Sequence, residues 1–139
     1  MSGSIRSAVV PPQSDCLVYI VDDDEAVRES TVILLETEDI AARSYATPTD
    51  FLADFDAGLA GCLIFDVHMP EMNGLELLSI LRARGVTTPA IVLTGRGDPL
   101  LSETARRFDA SMISKPADDE DLLEQIRTAF SRARLSSRP

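Results

Sequence analysis

Cys62-Leu63-Ile64-Phe65-Asp66-Val67-His68-Met69-Pro70-Glu71-Met72-Asn73-Gly74-Leu75 decides how the chain is read. Four apolar residues run into a single carboxylate, and turn-forming residues follow at once. A short apolar run bounded by turn signals reads as a strand buried on both faces. Asp66 then stands at the carboxyl end of that strand, where open parallel sheets gather their ligands. Desolvating a carboxylate there is costly unless a cation meets it. That cation is expected from elsewhere in the chain.

Outward from this stretch, the same pattern recurs. Cys16-Leu17-Val18-Tyr19-Ile20-Val21 is six apolar residues ending in Asp22-Asp23-Asp24. A helical pattern follows, with Val27, Thr31, Leu34 and Leu35 on one face and Asp24 placed to cap it. Residues 40–45 read as a short second strand. Thr47-Pro48-Thr49-Asp50 has the form of a capping box with proline at the first helical position, opening a helix that buries Phe51, Leu52 and Phe55. Beyond Asp66, Gly74 opens a helix carrying Leu75, Leu78 and Leu81, and Gly85 stops it. Ala90-Ile91-Val92-Leu93 is a fourth strand, followed by Thr94-Gly95. Asp98-Pro99 starts a fourth helix ending near Asp109, and Ser111-Met112-Ile113-Ser114 is a weaker fifth strand before Lys115-Pro116. The last helix starts at Asp118 to Asp121 and buries Leu122, Ile126, Ala129 and Phe130. Five strands alternating with five helices require right-handed parallel crossovers, so the expected fold is an α/β doubly wound sheet in a single domain.

Composition narrows the function. Thirteen Lys and Arg against twenty-three Asp and Glu leave a formal net charge of −10 over 139 residues. Such a surface argues against direct nucleic-acid binding, which needs a positive footprint. No segment is long enough and apolar enough to cross a bilayer. Cys16 and Cys62 lack metal-ligand spacing and lie in apolar runs, so they read as buried, reduced thiols of a cytoplasmic protein.

The chemistry-bearing residues all fall at one end of the expected sheet: Asp22, Asp23 and Asp24 after the first strand, Asp66 after the third, Thr94 after the fourth, Lys115 after the fifth. Each alone has a plain reading: a solvated helix start, a turn-initiating aspartate, a strand end, an exposed lysine. Together they are a site. Clustered carboxylates repel unless a divalent cation or a lysine neutralises them. Oxygen-only ligation with vacant positions suits Mg2+. A carboxylate facing a phosphoryl group can act as nucleophile, forming an aspartyl phosphate. His68 is the single histidine, too isolated for a transition-metal site.

Val21-Asp22-Asp23-Asp24, Asp66 through Gly74, Leu93-Thr94-Gly95 and Ser114-Lys115-Pro116 resemble the receiver domains of two-component response regulators. The resemblance covers Cys16 to Phe130 and is closest to receivers of the nitrogen-fixation-regulator type, which usually precede a DNA-binding module. It implies a flavodoxin-like sheet with strand order 2-1-3-4-5. Residues 1–14 would be a flexible arm, 15–131 the receiver and 132–139 a basic tail. It further implies that Asp66 accepts a phosphoryl group from a sensor histidine kinase or phosphotransfer protein. Asp23, Asp66 and the backbone carbonyl of His68 would ligate Mg2+, with Asp22 acting through water. Thr94 and Lys115 would bind the phosphoryl oxygens, and Thr94 would shift to switch a protein-interaction surface. His68 and Arg96 would flank the pocket mouth and set the phosphate's lifetime. The resemblance also raises phosphorylation-dependent homodimerisation.

Two departures stand out. Met112 occupies a place that many receivers give to Tyr or Phe, and the segment between Thr94 and Lys115 is about one residue short of the usual spacing. Two other functions compete: a Mg2+-dependent phosphohydrolase with an aspartyl nucleophile, and a pseudo-receiver that only binds partners. The hydrolase would use a second carboxylate for proton transfer, where this chain has His68.

Overall fold

The computed structural model describes residues 17–95 and 99–136. Its elements, in chain order, are β1 (Leu17–Val21), α1 (Glu25–Thr37), β2 (Ala42–Tyr45), α2 (Pro48–Asp54) and β3 (Ala60–Asp66). They continue with α3 (Gly74–Ala83), β4 (Ala90–Thr94), α4 (Pro99–Arg107), β5 (Ala110–Ser114) and α5 (Asp119–Ser136). All strand pairs are parallel, and the sheet order is β2-β1-β3-β4-β5. The expected doubly wound fold is the one observed.

Side-chain alternation builds two cores from one sheet. Val18, Ile20, Cys62, Ile64, Ile91 and Leu93 point to one face, where Leu35 of α1 and Leu122, Ile126 and Phe130 of α5 cover them. Leu17, Tyr19, Val21, Leu63 and Phe65 point to the other, under Phe51 of α2 and Leu77, Leu78 and Leu81 of α3. A smaller cluster of Val67, Leu75, Val92 and Ala105 continues that second face under α4. The three central strands β1, β3 and β4 are buried nearly throughout, whereas every residue of edge strands β2 and β5 is half-buried or exposed. Cys62 is a free thiol in the interior, and burial pushes it up to about 12. Cys16 and the arm lie outside the described residues.

The helix ends follow local chemistry. Asp24 caps α1 through the amides of Ala26 and Val27, and Thr47 caps α2 through that of Asp50. A reciprocal capping box forms at α3: Asn73 Oδ1 accepts from the Glu76 amide, and Glu76 Oε1 accepts from the Asn73 amide. Gly85, at φ +87°, ends α3 with its own amide on the Arg82 carbonyl and the Val86 amide on the Leu81 carbonyl. Asp39 does the same for α1 at φ 58°, and the Ile40 amide returns to the Leu35 carbonyl. Ile40, expected in the second strand, therefore belongs to the helix end, and β2 starts at Ala42. The segment from Arg132, expected as a tail, continues as helix to Ser136.

Gly74 is needed for close approach. A Cβ at this position would sit 2.5 Å from the Asp66 carbonyl oxygen and 3.0 Å from the Phe65 Cβ. Backbone cannot swing aside as a flexible side chain can. Gly74→Ala is expected to cost about 1–3 kcal/mol of stability, read as a lower midpoint of urea unfolding. An unchanged midpoint would mean that α3 shifts freely.

Candidate functional site

Parallel pairing brings the four strand ends level. Val21 lies opposite Phe65, Asp66 opposite Leu93, and Thr94 opposite Ser114. Asp22 and Asp23 therefore leave β1 beside Asp66, and Lys115 leaves β5 beside Thr94. Carboxylate oxygens of Asp22, Asp23 and Asp66 all lie within 4.8 Å of one another. Lys115 Nζ lies 3.2 Å from Asp66 Oδ1 and 3.5 Å from Asp22 Oδ2. Asp22, Asp66 and Thr94 are buried, while Asp23 is exposed. The cation that Asp66 requires is Lys115.

Each acidic group is held differently. Asp22 Oδ1 accepts from the Asp24 amide at 2.9 Å, and the Asp22 backbone oxygen accepts from Arg28 Nη1 at 2.8 Å. Asp66 Oδ1 accepts from the His68 amide at 3.4 Å as well as from Lys115. Burial pushes the Asp22 carboxyl above its usual range, and the charge of Asp66 adds to that push. The Asp24 amide and Lys115 pull it back without cancelling it. For Lys115, burial works against the charged form, but the carboxylates of Asp22 and Asp66 outweigh it and hold the ammonium above its usual value. The pocket is thus short of positive charge.

The loop after Asp66 is pinned from several directions. The Gly74 amide donates to the Val67 carbonyl, and Met69 and Met72 pack against the core under α2 and α3. Thr49 Oγ1 donates to Glu71 Oε1 at 2.9 Å, tying the loop to α2. His68 is exposed beside the cluster. Met112 is half-buried on β5 and packs against Val67, Val92 and Ala105. Its side chain lies within the packing beneath α4, although a methionine lacks a ring's rigid bulk. Arg96 lies outside the described residues. Arg28, Thr49 and Glu71 are the residues of this region that the sequence did not single out.

Hard carboxylate oxygens on three side chains, one of them solvent-facing, are a donor set for a divalent cation, and the residues present fit one. The electrostatics give a test without metal. The folded carboxyl of Asp22 titrates above its ordinary value of 3.8, so the folded chain holds that proton more tightly than the unfolded one. Stability therefore falls as pH rises from the ordinary value through the folded one. In chelator, Asp22→Asn is expected to melt above the parent at neutral pH, the gap closing as pH drops below 3.8. A variant that melts below the parent at neutral pH would show that the pairing with Lys115 outweighs burial.

Comparison with known proteins agrees with this geometry. The family pattern described as "Response regulator receiver domain" matches residues 18–127. The chain is 41% identical over 120 residues to the transcriptional regulatory protein FixJ of Azorhizobium caulinodans, covering 84% of this chain and 56% of that protein. It is 38% identical over 117 residues to the C4-dicarboxylate transport transcriptional regulatory protein DctR of Rhodobacter capsulatus, covering 82% and 59%. The chain thus spans little more than half the length of these relatives. Among solved structures, a CheY-like response regulator receiver domain protein from Methanospirillum hungatei JF-1 is similar at a TM-score of 0.80 and 29% identity. That match covers 88% of this chain and 98% of the other. With the strand order and the acidic strand ends in agreement, the chain belongs to the response regulator receiver domain family.

Proposed function

We propose that this domain is a phosphoacceptor switch in which Asp66 receives a phosphoryl group from the phosphohistidine of a sensor histidine kinase or phosphotransfer protein. The observation that carries the reading is a buried carboxylate 3.2 Å from a lysine ammonium and within 4.8 Å of two more carboxylates. An Asp66 carboxylate oxygen attacks phosphorus as the bond from phosphorus to the donor imidazole breaks. The bonding pair stays with the imidazole nitrogen, and an acyl phosphate forms on Asp66. Mg2+, held by Asp23, Asp66 and the His68 backbone carbonyl with Asp22 acting through water, supplies the positive charge that the phosphoryl oxygens need when it is bound. Lys115, already aimed at Asp66, neutralises another of those oxygens, and the Thr94 hydroxyl donates to a third.

The same residues connect chemistry to output. Thr94 ends β4, and a shift of its hydroxyl toward the phosphoryl group would be felt at Ser114 opposite it and at Met112 two residues earlier on β5. Met112 then repacks against Val92 and Ala105 rather than swinging a ring, altering the surface formed by α4 and β5. That surface would bind a target or a second copy of the chain. Side chains at His68 and Arg96 would regulate how water reaches the acyl phosphate. Turnover of a small substrate is not part of this reading; only slow self-catalysed phosphorylation and dephosphorylation is. We place the domain in the cytoplasm, where histidine kinases present their phosphohistidines, and assign it neither direct nucleic-acid binding nor membrane contact.

Intact mass after incubation with acetyl phosphate tests the reading. One phosphoryl group is expected to add in the presence of Mg2+, to be labile to hydroxylamine, and to be absent in chelator and in Asp66→Ala. The decay of that adduct is expected to differ between the parent, His68→Ala and Arg96→Ala. Equal lifetimes would remove those two side chains from the account. Rapid multiple-turnover phosphate release without an adduct would instead favour the phosphohydrolase. No adduct from either acetyl phosphate or a phosphorylated kinase would leave an interaction module.

A further inference from the structure

The peptide joining Asp22 to Asp23 sits between two elements. Its carbonyl lies past the end of β1 at Val21 and before the start of α1 at Glu25. Arg28, half-buried one turn into α1, reaches back over the Asp24 cap and places Nη1 2.8 Å from that carbonyl oxygen. Every other polar atom of Asp22 is also engaged. Its amide donates to the Tyr45 carbonyl at 3.1 Å, Oδ1 accepts from the Asp24 amide, and Oδ2 faces Lys115.

Asp23 is the opposite case. It is exposed, yet its carboxylate lies within 4.8 Å of those of Asp22 and Asp66. Like charges repel, so in the absence of a metal an exposed aspartate would turn toward water unless its backbone directs it inward. The amide plane is rigid. Holding the Asp22 oxygen therefore fixes the direction in which the chain departs to the Asp23 Cα.

We propose that Arg28 is a positioning residue for the divalent-cation site: its guanidinium clamps the Asp22 carbonyl and so aims the Asp23 carboxylate at Asp66. This inference rests on the metal-assisted reading above. Position and charge make opposite demands here. As a charge alone, an arginine beside three carboxylates opposes a second cation, so its removal should tighten metal binding. As a clamp, its removal should loosen metal binding, as loss of an outer partner of a ligand usually does.

The experiment is calorimetric titration of the metal-free full chain with Mg2+, for the parent, Arg28→Met and Arg28→Lys. Methionine and lysine are both good helix formers, and thermal melts check that each variant folds. Arg28→Met is expected to weaken Mg2+ binding about tenfold. Arg28→Lys keeps a donor for the carbonyl and is expected to stay within about twofold of the parent. Should Arg28→Met fail to fold, Arg28→Leu, which also lacks a donor, takes its place with the same expected loss. Parent-like or tighter Mg2+ binding by the methionine variant would overturn the clamp while leaving the phosphoacceptor reading intact. A parent chain that binds no Mg2+ would overturn both.

Discussion

The site depends on one ammonium set among carboxylates. Lys115 reaches from the end of β5 to Asp66 and Asp22, which are buried beyond the reach of bulk water to screen them. Without it, the buried carboxylates of Asp22 and Asp66 would lose the ammonium that both of them face. With it, Asp66 is paired while the cluster remains underneutralised. That residual negative charge leaves room for a divalent cation, for which the three carboxylates are a donor set.

The fold supplies this arrangement through register. In a parallel sheet the strand ends lie side by side, so four residues distant in sequence converge wherever each strand stops. The buried strands β1, β3 and β4 hold Asp22, Asp66 and Thr94 on rigid backbone, and apolar packing on both faces fixes their height. The loops above are held by short-range devices: the Asn73 and Glu76 box, the close fit of Gly74 on the Asp66 carbonyl, the tie from Thr49 to Glu71. Edge strand β5 is less buried than the three central strands.

Much of this was legible in the sequence because apolar runs that stop at a polar residue announce both a buried strand and what lies at its end. Asp22, Asp66, Thr94 and Lys115 were all readable in that way. Sheet order came from resemblance, since alternation alone fixes the crossovers and not their sequence. Arg28 was invisible because a long side chain that returns to a backbone carbonyl leaves no spacing pattern. Arg82 is a second case at the opposite end of the sheet, where its guanidinium binds the carbonyls of Val86, Thr88 and Phe108. Two element ends also escaped. Asp39 takes a left-handed turn usually given to glycine, and the basic, serine-containing run from Arg132 hides the continuation of α5 to Ser136.

Binding of beryllium trifluoride, a tetrahedral mimic of a carboxylate-bound phosphoryl group, tests the central claim most directly. Followed by fluorine resonance, the parent chain is expected to show bound fluoride signals that require Mg2+ and vanish in Asp66→Ala. Lys115→Met is expected to weaken them strongly. Bound signals that persist without Asp66, or that ignore the loss of Lys115, would contradict the account of a lysine-neutralised phosphoacceptor.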